Sequence, residues 1–98
     1  MTLGEALLPA SSVMRTASTI DAEIDGEVIV LSIDQGTVFG LGSVGSRIWQ
    51  LIDRSIRIED LCATLVLEFD VTSAECRTQV DEFLAQLREE GLIEVSPG

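Results

Sequence analysis

The chain has 98 residues, seventeen Asp or Glu, six Arg, no Lys and no His, for a formal net charge of −11. Without imidazole or a lysine amine there is no Ser/His or Cys/His pair, no His metal ligand, no Schiff base and no phosphate-loop lysine. So large an excess of acid repels phosphate backbones, which sets nucleic acid and anionic membrane aside as partners and favours a basic peptide or protein patch.

Residues 1–12 carry weak signals and read as an N-terminal arm, with Pro9 and Ser11-Ser12 breaking the chain before a folded part that begins near Val13. Thr19–Ile24 alternates strictly, which predicts a half-exposed strand. Ile20, Ala22 and Ile24 are expected on its inner face, and Asp21 and Glu23 on the solvent side. Asp25-Gly26 is a two-residue hairpin signal, since a type I′ turn needs positive φ at both positions. The next strand, Glu27–Ile33, is apolar on both faces through Val28-Ile29-Val30-Leu31 and is expected at the centre. Asp34-Gln35-Gly36 turns the chain again, and Thr37–Leu41 closes a three-stranded meander as an edge strand.

Ser43 is the expected N-cap of a first helix whose apolar stripe is Val44, Ile48, Leu51 and Ile52, with Trp49 beside it in the core. Gly45 in that first turn costs about 1 kcal/mol relative to Ala, so it is expected where a neighbouring backbone comes close. Asp53–Arg57 reads as a connection. Ile58, Leu61, Cys62, Leu65 and Phe69 mark a second helix. Thr72-Ser73-Ala74-Glu75 is a capping-box pattern opening a third, with Cys76, Val80, Phe83, Leu84 and Leu87 on its stripe. Gly91 stops it. Leu92, Ile93 and Val95 pack back as a short extended tail, and residues 96–98 fray. Strands first and helices after predict an α+β, winged-helix-like domain over residues 13–95.

Nothing in this pattern builds a reaction centre. Cys62 and Cys76 fall at apolar helical positions and read as reduced core residues; two thiols so far apart complete no zinc site. The carboxylates of the first hairpin read as a solvated face. No cofactor and no metal are therefore expected, and the protein is not expected to be an enzyme. No apolar run approaches the roughly 20 residues that span a bilayer, and no basic cluster opens a secretory signal, so a cytoplasmic location is expected. What remains is the open edge of the third strand, which can accept a foreign chain by strand addition or pair with a second copy.

The ordered set Asp25-Gly26-Glu27-Val28, Gly36-x-x-Phe39-x-Leu41, Gly45-x-x-Ile48-Trp49-x-Leu51, Ile58-Glu59-Asp60-Leu61, Phe69-Asp70-Val71, Val80-x-x-Phe83-Leu84-x-x-Leu87 and Gly91-Leu92-Ile93 resembles the PqqD-like family. These are recognition elements for the leader peptides of ribosomally made, post-translationally modified peptides. Gly42 stands where the family often has Asn, and Arg57 where it often has a Thr or Ser cap. The resemblance implies that an extended leader adds as a fourth antiparallel strand and lies in a groove between the third strand and the third helix. Carried onto this chain, Thr37, Val38, Phe39, Gly40 and Leu41 supply the backbone. Val38, Phe39, Val80, Phe83, Leu84 and Leu87 supply apolar pockets, flanked by Cys76, Arg77 and Gln79. Short members resemble the free-standing leader-binding subunit of lasso-peptide systems, where a separate protease removes the leader and a cyclase closes the ring. The expected function is thus a non-catalytic adaptor with two partners, a precursor peptide and a leader peptidase or other maturation enzyme. The competing expectation is an acidic winged-helix regulatory module that contacts protein or DNA.

Overall fold

The computed structural model describes residues 7–97. Its first organising unit is the meander. Strands β2 (Thr19–Ile24) and β3 (Glu27–Ser32) meet through Asp25 and Gly26 at φ 53° and 83°, the left-handed pair that a type I′ turn demands. β4 (Thr37–Gly40) adds antiparallel to the far side of β3, giving the order β2-β3-β4. The expected central strand is therefore central, and the expected edge is an edge.

Three helices follow: α1 (Gly42–Leu51), α2 (Ile58–Glu68) and α3 (Ser73–Glu89). Ser43 does not cap α1. The cap position is Leu41, no side chain bonds there, and Gly42 turns the chain at φ 69°. That left-handed conformation suits Gly and is tolerated by Asn. α2 also lacks a side-chain cap at Arg57. Its first free amides are satisfied instead by the N-terminal segment: Ile58 N–H donates to the Ser11 carbonyl at 2.9 Å and Glu59 N–H to that of Pro9 at 3.0 Å. α3 opens with the Thr72–Glu75 capping box. It closes in a Schellman arrangement, with Gly91 N–H on the Arg88 carbonyl and Leu92 N–H on that of Leu87.

A second sheet accompanies the expected one. β1 (Ser12–Arg15) lies between β5 (Ile56–Arg57) and β6 (Ile93–Ser96), antiparallel to both. These segments span two to four residues, too few to show a period, so the sequence presents them as a lead-in, a connection and a tail. Ser12, inside the expected arm, pairs with both Arg57 and Ser96; residues 1–6 of that arm and Gly98 lie outside the described residues.

The core joins both sheets to the helices through Val13, Val28, Val30, Trp49, Ile52, Ile58, Leu61, Leu65, Leu84 and Leu92. One expectation is overturned here. Asp21 and Glu23 face α1, and Ile20, Ala22 and Ile24 face solvent. The cause is a set of donors on the inner side. Trp49, only 1% exposed, turns its indole N–H toward β2 and donates to Asp21 Oδ2 at 2.9 Å. Gln50 Nε2 donates to Glu23 at 3.3 Å. Arg15 lies 4.7 Å over the Trp49 ring, donates from Nε to the Trp49 carbonyl at 2.9 Å, and reaches Asp21 at 3.2 Å. An isoleucine at position 21 would leave the indole N–H without an acceptor, a cost of about 1–3 kcal/mol. Asp21→Ala is therefore expected to lower unfolding stability by about 1–3 kcal/mol, and Asp21→Asn, which keeps an acceptor, by less. Urea titration followed by the fluorescence of Trp49 measures both; an Asp21→Ala chain as stable as the parent would contradict the assignment.

Candidate functional site

The outer edge of β4 is open among the described residues, since β4 pairs only with β3. Which backbone groups it offers follows from the ladder. Leu41 N–H donates to the Val28 carbonyl at 3.0 Å, and Val30 is paired with Phe39 and Ser32 with Thr37. Antiparallel ladders alternate, so Thr37, Phe39 and Leu41 turn their amides toward β3. Val38 and Gly40 turn their N–H and C=O groups out to the open edge. The Val38 side chain is 63% exposed, and Phe39 packs half-buried on the core opposite Val30.

At the C-terminal end of this edge lies an apolar groove of about 520 Å³. Leu41 leads into it. Val44, Gly45 and Ile48 of α1 form one wall; Leu65, Phe69 and Val71 close the end where α2 stops; Cys76, Gln79, Val80 and Phe83 of α3 form the other wall. Gly45 makes the narrow point. A Cβ there would sit 3.0 Å from Phe83 Cζ, so the close approach is to an aromatic ring and not, as expected, to a backbone. Among the described residues Asp70 and Glu75 are the charged ones in its lining. α1 and α2 are tied by the fork of Arg47 on Glu68, with Nε–Oε1 at 2.7 Å and Nη2–Oε2 at 2.9 Å. That hydrogen bond holds the Glu68 carboxyl below its ordinary range.

The structure sorts the sequence-derived candidates into three groups. Thr37, Val38, Phe39 and Gly40 form the edge strand. Leu41, Cys76, Gln79, Val80 and Phe83 share the groove. Leu84 and Leu87 are buried in the core, and Arg77 points elsewhere, bonding Asp81 at 2.8 Å and the Leu7 carbonyl. Sequence reasoning missed Val44, Ile48, Leu65, Phe69 and Val71 as lining. The signal was present in Phe69-Asp70-Val71, two apolar residues just where α2 ends and no helix remains to bury them. Among the described residues no cluster of three or more metal-ligating side chains occurs, and no helix is long and apolar enough to cross a membrane.

The thiols are quiet. Cys62 is half-buried and Cys76 buried, and Cys76 Sγ approaches the Cys62 carbonyl at 3.8 Å. Burial, with the nearby Cys76 adding to it, pushes the Cys62 thiol from an ordinary 9.0 up to about 11.

The family follows from sequence as well as shape. A family model described as coenzyme PQQ synthesis protein D (PqqD) matches residues 27–93, and the chain belongs to that family. Among solved structures it is similar to TbiB1 in complex with the TbiA(beta) leader peptide, at 33% identity and a TM-score of 0.78, over 83% of this chain and 94% of that one. It is also similar in fold to lasso peptide synthetase B1 complexed with the leader peptide, at 16% identity and a TM-score of 0.69, over 84% and 96% of the two chains. No curated protein matches the sequence.

The raised Cys62 value sets a pH dependence. Between about pH 9 and 11 the unfolded chain releases a proton that the folded chain retains, so stability is full below this window and falls as pH rises through it. The chain has no His, Lys or Tyr, which leaves its two thiols as the side chains that ionise in this range once unfolded. Thermal melts are expected to drop across that window in the parent and to flatten in Cys62→Ser. An equal drop in both chains would remove Cys62 as the cause.

Proposed function

We propose that this protein binds the leader segment of a ribosomally made precursor peptide and presents the peptide to a separate maturation enzyme. The leader adds antiparallel to β4 and sends apolar side chains into the groove at the end of that strand. The observation that carries this reading is the junction of the two features: outward amides and carbonyls at Val38 and Gly40, continuous with an apolar groove entered at Leu41. The similar protein TbiB1, at 33% identity, was solved with a leader peptide bound.

Magnitudes divide the work between edge and groove. Four backbone groups contribute about 0.5–1.5 kcal/mol each, or roughly 2–6 kcal/mol together. Association costs about 4–15 kcal/mol in lost freedom, so strand addition alone does not hold a peptide. One or two apolar side chains buried in the groove add about 1.5–3 kcal/mol each and supply the selectivity that backbone bonds lack. The protein itself performs no chemistry in this reading. Holding the leader raises the effective concentration of the attached core segment at a leader peptidase or another processing enzyme, as in lasso-peptide maturation.

Titration of the matched leader peptide by calorimetry tests the reading, and no binding at tens of micromolar (about −6 kcal/mol) counts against it. Proline separates the edge from the ladder. Val38→Pro removes only an outward donor and is expected to weaken leader binding while leaving the melting temperature nearly unchanged. Phe39→Pro removes a donor to β3 and is expected to destabilise the sheet itself. Equal stability losses would refute the assigned ladder alternation. Gly45→Ala tests the groove. The added methyl pushes the Phe83 ring into the groove, and leader affinity is expected to fall about tenfold, or 1.4 kcal/mol, with stability within about 1 kcal/mol of the parent. Unchanged affinity would place the peptide elsewhere.

A further inference from the structure

The outer face of the β2-β3-β4 sheet is apolar, and among the described residues nothing covers it. Cross-strand pairing lines up Ile20, Leu31 and Val38 in one row and Ala22, Ile29 and Gly40 in the next, with Ile24 beyond them. Ile20 is 56% exposed and Ile24 59%. The helices pack on the opposite side, where Asp21 and Glu23 are consumed by Trp49, Arg15 and Gln50. The sheet thus turns two hydrogen-bonded but still exposed acids toward α1 and presents its isoleucines on the other face, where an ordinary half-exposed sheet carries its polar residues. Apolar patches of a few hundred Å² are often functional.

Charge and area select the occupant. Residues 19–40 contain five acids and no base, and Asp25, Glu27 and Asp34 flank the apolar face at its two ends. A second copy brings the same rim and the same net charge of −11. Three short strands make a face of roughly 15 by 20 Å, about 300 Å². That falls well short of the roughly 800 Å² a side found in standard interfaces, so two copies face to face gain too little to offset their repulsion. A larger protein adds contacts beyond the rim. We infer that this face docks a different protein, through an apolar patch bordered by Lys and Arg, while the groove on the other side stays free. Val38 belongs to both the face and the edge strand, so a peptide on β4 lies directly beside the docked partner. The inference rests on the adaptor reading only for the purpose of that juxtaposition.

Photo-cross-linking in the native host tests it, with benzoylphenylalanine placed in the full chain at position Ile24 or, as control, at Leu67, an isolated leucine 88% exposed on α2. The adduct specific to position 24 is identified by mass spectrometry, and that protein is purified and titrated against the parent chain. Ile20→Glu and Ile24→Glu are expected to weaken binding at least about tenfold, as is raising salt from about 50 mM to about 500 mM. Ile24→Thr, which keeps a β-branched side chain, is expected to weaken it too and guards against a folding artefact. Leader affinity is expected to stay within about twofold in all three variants, since none touches the groove. An adduct with a second copy, equal adducts from both positions, no adduct, or an affinity indifferent to Ile20→Glu would overturn the inference. Failure of the parent chain to bind leader would instead overturn the adaptor reading and leave the docking result standing.

Discussion

The bond from the Trp49 indole to Asp21 fixes the pose of the whole sheet. A three-stranded meander has two faces, and either could in principle lie on the helices. Here the indole N–H is buried and needs an acceptor, so the carboxylate-bearing face of β2 turns inward. Arg15 secures the choice by stacking on the ring while reaching the same carboxylate. Ser46, buried on the same helix, accepts the Val28 amide at 2.8 Å and pins β3 as well. Three polar contacts thus set one rigid relation between sheet and α1. Because α1 also forms a wall of the groove, the same contacts decide how the β4 edge meets that groove.

This arrangement explains why the edge and the groove function as one site. β4 runs straight into α1 through Leu41 and Gly42, and Leu41 is both the last residue bonded to β3 and the first lining residue. A chain lying on the edge needs no turn to reach the apolar walls. The walls come from helices that are independently braced: α1 to α2 through Arg47 and Glu68, and α3 by a capping box at one end and a Schellman stop at the other. Exposed ion pairs such as Arg47–Glu68 contribute little stability, and their value here is positional. Preformed walls reduce the ordering cost of binding, which matters when the backbone bonds alone fall short of it.

Much of this was legible in the residues. Asp25-Gly26, Gly36, Thr72–Glu75 and Gly91 each encode one local geometry, and each adopts it. The central strand showed itself by being apolar on both faces. What failed to read was whatever depends on a partner distant in sequence. Alternation in Thr19–Ile24 revealed that the strand has two unlike faces, but not which one a tryptophan 28 residues away would claim. The strands β1, β5 and β6 exist because they have one another, and no two-residue segment advertises that. The stripe of α3 was correctly seen as wide, yet periodicity could not divide it. Cys76, Val80, Leu84 and Leu87 are buried, while Phe83 sits at the groove only because Gly45 leaves room for its ring.

The inverted sheet carries a cost that a lone monomer has no reason to bear. Two isoleucines more than half exposed forgo part of the roughly 1.5–3 kcal/mol that burial of each would yield. Placing Thr or Lys at those positions would keep the inner contacts of Asp21 and Glu23 intact, because successive residues of a strand point to opposite faces. The sequence nonetheless keeps Ile at both 20 and 24, across from Leu31 and Glu27, on the face that no other described residue covers. The stabilising contacts on the inner side therefore do not require the apolar residues on the outer side. The two faces are separable by substitution, which makes the outer one a feature to be accounted for by something that covers it.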